Sequence, residues 1–338
     1  MNEINMPKVS VILPYYNAEK TLKQSVESIL NQTFNDIECI LINNNSTDNS
    51  NAVADALAKQ DDRVVLTNEE QQGVSYASNK GSHVAKSLYI ARMDADDIAL
   101  PNRLALQYHF LECHPDYGAV GGLARFGGDE QKSAGLKRFV DWNNAIITYE
   151  DIVLNQFSES PIINPTAMWR KETELYAGSF IHGDFPEDYE LWLRWLSKGV
   201  KIAKVPEVVL QWNDLPSRLT RTDNRYSFDA FYKTKTPYLH QWLKKHNPHF
   251  PNIYIWGASR RVRKRAQFTG LYVLNILGYI DINTRRQIDE LIIDYKNLPL
   301  ASEAFIVVYM PHHDIKKEIA DHLHKRGYKE GVNYIFAA

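Results

Sequence analysis

Apolar and polar positions along the first hundred residues follow two periods in turn, one near two residues and one near 3.6. Val9 to Leu13 is a β-branched apolar run stopped by Pro14, and 21–30 places Leu22, Val26, Ile29 and Leu30 on one helical face. Ile37 to Ile42 reads as a second strand, followed by a polar, turn-like stretch from Asn43 to Ser50. A helix is predicted over 51–59, a third strand over 64–66, a helix over 74–86 after Gly73, and a fourth strand over 88–93. This β-α-β-α order predicts a largely parallel sheet with helices on both faces. In such sheets ligands bind beyond the carboxyl ends of the strands. Those ends carry Pro14-Tyr15-Tyr16-Asn17, Asn43-Asn44-Asn45-Ser46 and Asp94-Ala95-Asp96-Asp97.

From 115 to 228 the pattern is less regular, with aromatic residues gathered between Trp169 and Trp212. The stretch 225–246 reads as mostly helical and interrupted at Pro237. Composition then changes around Pro248 and Pro251. A strand-turn-helix unit starts at 253–257, strands are predicted over 275–282 and 305–309, and a helix over 312–326 precedes a last apolar strip at 334–336. The expected organisation is an α/β domain over 1–224, a helical connector over 225–250, and a small Rossmann-like α/β domain over 251–338.

Composition narrows the classes. The 338 residues are long enough for two domains with a real core. Lys and Arg number 39 against 41 Asp and Glu, a formal net charge of -2, so nucleic acid is not an expected partner. The two cysteines, Cys39 and Cys113, make neither a disulfide framework nor a metal cluster, which fits a reducing, cytoplasmic setting. The first seven residues lack the apolar region of a signal peptide, and no apolar run approaches the roughly 18 residues of a membrane span.

Three carboxylates in four residues, Asp94, Asp96 and Asp97, repel one another unless a cation sits among them. A hard divalent metal, Mn²⁺ or Mg²⁺, would resolve that repulsion and leave positions open for phosphate oxygens; an acidic turn capping the next helix is the alternative. Glu187-Asp188 opens an apolar stretch of helical character. There the pair is favourable with the helix dipole. Trp192 and Trp195 suit helix packing better than sugar stacking. The loop 212–221 carries Arg218 and Arg221, which are either a solvated basic loop or a clamp for a diphosphate.

Taken in order, six pieces resemble glycosyltransferase family 2, inverting enzymes of the GT-A nucleotide-diphospho-sugar transferase fold. They are Val9 to Asn17, Ser28 to Thr33, Asn45 to Ser50, Gly73-Val74-Ser75, Asp94-Ala95-Asp96-Asp97 with Leu100 to Leu104, and Glu187 to Arg194. Together they span about 8–222. The resemblance implies a nucleotide-sugar donor, with UDP the best fit, and a saccharide or lipid-linked saccharide acceptor in cell-surface polysaccharide or lipopolysaccharide biosynthesis. It implies that Pro14, Tyr15, Tyr16, Asn17, Asn44 and Ser46 shape the nucleoside pocket. Asp96 would contact the metal, Asp94 the ribose or a metal-bound water, with Ala95 between them. Arg218 and Arg221 would meet the diphosphate. Asp188, beside Glu187, would be the general base, and Asp97 would cap the segment that follows rather than join the metal.

Two departures from the family pattern matter. Asn43-Asn44 replaces the usual Asp-Asp, so Asn44 would read the base through an amide, and Ser78 replaces an Arg before Asn79. In the C-terminal stretch the Gly-x-Gly-x-x-Gly positions hold Gly257, Ser259 and Val262, which argues against dinucleotide binding and against a NAD-dependent oxidoreductase. Packing, homo-oligomer formation or acceptor recognition is the expected role there. The basic run Arg260, Arg261, Arg263, Lys264 and Arg265 is either a charged helix face or a contact for phosphates and anionic headgroups, which leaves room for peripheral membrane association. A scaffold that binds nucleotide sugar without catalysis is the competing reading of the whole chain.

Overall fold

The computed structural model describes residues 6–338 apart from 217, 269–271, 273, 287–288 and 311–312. Ser217 of the predicted loop and His312 at the predicted start of the last helix therefore lie outside the described residues. The chain divides into two compact units, Met1–Ile152 with Pro161–Tyr226, and Val153–Ser160 with Ser227–Ala338.

The first unit opens with β1 (Val9–Tyr15), α1 (Leu22–Leu30), β2 (Ile37–Asn43), α2 (Ser50–Gln60), β3 (Val64–Asn68), α3 (Val74–Val84) and β4 (Tyr89–Arg92). All seven residues of β1 are buried, as expected of a central parallel strand covered on both faces. The strand runs through Pro14 rather than stopping there. β4 pairs with β1 only as far as Ile12, so Pro14, with no N–H to offer, extends the strand where β2 alone flanks it.

The chain from 98 to 222, most of which looked irregular, builds the other half of the sheet. It holds β5 (Ile98–Ala99), α4 (Arg103–Cys113), β6 (Tyr117–Phe126), α5 (Ala134–Asn144), α6 (Tyr149–Asn155), β7 (Met168–Arg170), α7 (Lys171–Ala177), α8 (Glu187–Ser197), β8 (Lys201–Trp212) and α9 (Leu219–Thr222). The strand order is β3-β2-β1-β4-β7-β6-β8-β5, with β7 antiparallel to β4 and β6, and β5 antiparallel to β8. β6 and β8 are long parallel partners whose register shifts near Gly122, where Val209 leaves no room for a Cβ. Those shifts and the Pro206 within β8 break the period-two pattern that would have announced both strands. One apolar cluster runs from Val9 and Leu41 through Met93 and Met168 to Leu210, so the two halves share a core.

The second unit starts with α10 (Phe228–His246), which continues through Pro237 and belongs to this unit rather than standing apart as a connector. Then come β9 (Asn252–Trp256), α11 (Arg260–Gln267), β10 (Asn275–Asp281), β11 (Ile292–Asp294), β12 (Ile306–Val308), α12 (His313–Lys325) and β13 (Tyr334–Phe336). The sheet is parallel throughout, in the order β11-β10-β9-β12-β13. No helix among the described residues is long and apolar enough to cross a membrane.

Candidate active site

The carboxyl ends of β1, β2 and β4 meet at one edge of the large sheet. Beyond β1 the chain turns at Asn17, held at φ 49°, whose side-chain oxygen accepts the Thr47 N–H at 2.8 Å while its own N–H reaches Ser46 Oγ at 3.1 Å. Asn17 and Ser46 thus latch the first βα loop to the second. Pro14 and Tyr15 are buried; Tyr15 Oη donates to Asn51 of α2, and burial pushes its phenol up to about 12. Tyr16, about half exposed, is the accessible aromatic ring of this turn.

Asn44 differs most from its expected role. Its NH₂ donates to Glu69 O at 3.0 Å and Gln71 O at 2.8 Å, and its oxygen accepts the Gly73 N–H at 2.8 Å and Gln72 Nε2 at 3.4 Å. The side chain is buried, and its hydrogen-bonding capacity is spent on the 69–73 loop. It acts as a strut that braces this loop. The loop ends at Gly73, with φ +142°, where a Cβ would press on His182 and Tyr76.

After β4, one carboxylate oxygen each from Asp94, Asp96 and Asp97 lies within 4.8 Å of the others. Asp94 is paired with the buried Arg92 at 2.7 Å, and Ala95 packs its methyl on the core. Asp97 does not cap the following helix: α4 starts only at Arg103. Its Oδ1 accepts the Asn213 N–H at 2.8 Å, and its buried Oδ2 has no hydrogen-bond partner. Burial raises both Asp96, to about 6, and Asp97; neighbouring carboxylates add to the rise, and Arg218 opposes it. An orphaned buried oxygen among three carboxylates is a donor set suited to a hard divalent cation. Behind it lies Arg103, wholly buried, donating to Arg92 O at 2.6 Å.

Arg218 stacks on Trp212, with its guanidinium carbon 3.7 Å from the ring centroid, and donates to Asn213 O at 2.8 Å. Arg221 turns to Asp214 at 2.6 Å and to Ser133, away from the acidic cluster. The structure therefore brings Arg218, and not Arg221, to the carboxylates.

Glu187 and Asp188 start α8 behind Pro186. Asp188 is part-buried, and its Oδ1 accepts the Tyr189 N–H at 2.7 Å. Burial pushes its carboxyl up to about 7; the Glu187 charge and then Asp94 add to the push. Asp188 is thus within electrostatic reach of Asp94. Glu187 is buried and held differently: Tyr226 Oη lies 2.6 and 2.9 Å from its two oxygens. The rest of the helix is core. Trp192 and Trp195 are fully buried and meet edge to face at 5.5 Å, so neither is a platform for a sugar. A cleft of about 370 Å³ beside β6 and β8, lined by Leu100, Phe126, Lys137 and Asp141 among others, includes none of these acidic residues.

Four contributors escaped sequence reasoning. Arg92 sits next to the acidic motif and could have been suspected from that alone. Asn213 secures both Asp97 and Asp96, by its N–H and by Nδ2 to Asp96 O at 2.7 Å. Tyr226 carried no signal. Asn79 exchanges two hydrogen bonds with the Phe180 backbone, at 2.8 and 3.0 Å, and so ties α3 to the segment that leads into α8.

Residues 10–174 match the profile of glycosyl transferase family 2. The chain is 34% identical over 207 residues to the amylovoran biosynthesis glycosyltransferase AmsE of Erwinia amylovora, an overlap covering 60% of this chain and 74% of that protein. It is 30% identical over 208 residues to the UDP-Glc:alpha-D-GlcNAc-diphosphoundecaprenol beta-1,3-glucosyltransferase WfaP of Escherichia coli, covering 58% and 73%. Among solved structures, the mannosyltransferase PcManGT of Pyrobaculum calidifontis, in complex with GDP-Man and Mn²⁺, superposes with a TM-score of 0.52 at 20% identity. That superposition covers 71% of this chain and 64% of the other, and shows a shared fold.

Proposed function

This chain belongs to glycosyl transferase family 2, and from that premise we propose that it is an inverting, metal-assisted transferase using a nucleotide-sugar donor. The observation that carries the reading is the meeting of two acidic groups. The orphaned Asp97 oxygen among Asp94 and Asp96 suits a metal, and Asp188, its acidity tuned close to neutrality, lies within electrostatic reach of Asp94.

Asp188 is the general base. It takes the proton of the acceptor hydroxyl as that oxygen forms its bond to the anomeric carbon, while the bond to the diphosphate oxygen breaks on the opposite face. The configuration inverts, and the leaving nucleoside diphosphate carries away the negative charge. Asp94, Asp96 and Asp97 would hold Mn²⁺ or Mg²⁺, which supplies Lewis-acid stabilisation of that charge. Arg218, beside the acidic cluster, would add a charge-assisted hydrogen bond to the same oxygens. Glu187 does not touch substrate in this scheme; its charge raises Asp188, and Tyr226 orients it. UDP is the proposed carrier, in keeping with the UDP-glucose donor named for WfaP, and the acceptor is a saccharide or lipid-linked saccharide of a surface polysaccharide.

The test is a screen of nucleotide sugars for release of the nucleoside diphosphate, with and without Mn²⁺ and after EDTA. Release from a uridine donor that EDTA abolishes and Mn²⁺ restores is the expected result. Full turnover in EDTA, or silence from every donor offered with saccharide acceptors, would overturn the proposal.

A further inference from the structure

We propose that the carboxyl-end edge of the small parallel sheet is a docking surface for an anionic lipid membrane. The surface lies wholly in the second unit and does not rest on the catalytic assignment. Charge is segregated between the two units: the second carries 17 Lys and Arg against 11 Asp and Glu, inside a chain whose net charge is -2. Such asymmetry points to an anionic partner for that unit.

At this edge two loops abut. The turn after β9 donates the Ala258 N–H to Asp281 Oδ2 at 2.7 Å, and the Gly257 N–H to Ile280 O at 2.6 Å. That contact seats the first turn of α11 against the loop 282–286. Arg260, Arg261, Arg285 and Arg286 are all exposed there. Among the described residues only Arg286 has an acidic partner, Asp281 at 3.4 Å. Between the arginines stands Ile282, 78% exposed.

The same edge does not suit a bound dinucleotide. Asp281, placed where a ribose would be met, already accepts Ala258 and pairs with Arg286. Gly257, at φ +102°, lies against Val262 and Met310, each within about 3.3 Å of where a Cβ would stand, so the turn is closed. What remains is a surface of four exposed arginines, of which Arg286 is paired, around one apolar side chain. Phosphate headgroups match the first and the acyl boundary the second, whereas contacts to a nucleic-acid backbone would engage the arginines alone. Each arginine near an anionic leaflet strengthens attachment by roughly 5-fold.

Flotation of the full chain with vesicles tests this. We expect binding to phosphatidylcholine vesicles containing one third phosphatidylglycerol, none to pure phosphatidylcholine, and release as salt shortens the screening length from about 10 Å to about 3 Å. The triple variant Arg260→Gln, Arg261→Gln, Arg285→Gln should bind roughly 100-fold more weakly, and Ile282→Ser should weaken binding at unchanged charge. Circular dichroism confirms that the variants fold, and their donor turnover in vesicle-free solution should match the parent. Absence of vesicle binding by the parent, equal binding to both vesicle types, or a triple variant that floats like the parent would each overturn the proposal. So would preferential binding of a duplex oligonucleotide that Ile282→Ser leaves intact. A chain that floats as expected but turns over no donor leaves the docking surface standing and counts against the catalytic reading alone.

Discussion

Replacing Asp188 by Asn should separate function from stability in opposite directions. Loss of a positioned base costs roughly 10²–10⁴ in turnover, with donor affinity little changed because Asp94 and Asp96 are untouched. Stability moves the other way, and its pH dependence follows from the sign of the shift. Burial, then Glu187 and Asp94, raise the carboxyl from 3.8 to about 7 in the folded chain. The folded state therefore holds this proton more tightly than the unfolded state does. That stabilisation is complete below 3.8 and is lost as pH rises through about 7, where the fold must carry a poorly solvated charge. At about 1.4 kcal/mol per pH unit the loss would reach about 4 kcal/mol, and solvent reaching a part-buried group reduces it to about 2 kcal/mol. Asn cannot ionise, so the variant should match the parent near pH 4 and exceed it by about 2 kcal/mol above pH 8. Urea titrations in EDTA, followed by the fluorescence of buried Trp192 and Trp195 on the same helix, read this difference directly. A stability difference that stays flat across the range would refute the strained-carboxylate argument. Parent-like turnover would refute the role as base.

Two further outcomes are expected. Tyr226→Phe removes the donor on which buried Glu187 depends, which should cost about 1–3 kcal/mol and lower turnover more than it raises the KM for donor; an equal stability and rate to the parent would show that the pair is incidental. Asn44→Asp sets a carboxylate against the carbonyls of Glu69 and Gln71, so a loss of about 2–4 kcal/mol is expected, together with a weaker fit for every nucleotide tested in competition; tighter uridine binding by this variant would contradict the strut role.

The parallel half of the large sheet was legible because β1, β2 and β4 are buried on both faces and the helices between the strands carry one-sided apolar spacing. The other half was not. Gly121 and Gly122 and the Pro206 bulge interrupt β6 and β8, and β5 and β7 are too short to show a period. Within the site, the acidic residues could be found from their spacing, yet what each touches could not. Asn44 looked like a base reader because its amide is chemically capable of it, whereas four loop residues downstream claim that amide. Arg221 and Arg218 were equivalent on paper, and only the stacking of Arg218 on Trp212 tells them apart. Tyr226 reaches Glu187 across a separation that no local pattern reports.

The reciprocal bond between Asn79 and Phe180 bears on any attempt to redesign this enzyme. Gly73, fixed by Asn44, begins the helix that carries Asn79, and Phe180 lies on the segment that delivers Asp188. The proposed nucleoside rim and the proposed proton acceptor are thereby mounted on one lever. Grafting a foreign 69–73 loop to change donor preference would tilt that lever, so swaps that carry 178–182 along with the loop should keep far more of their turnover than swaps of the loop alone.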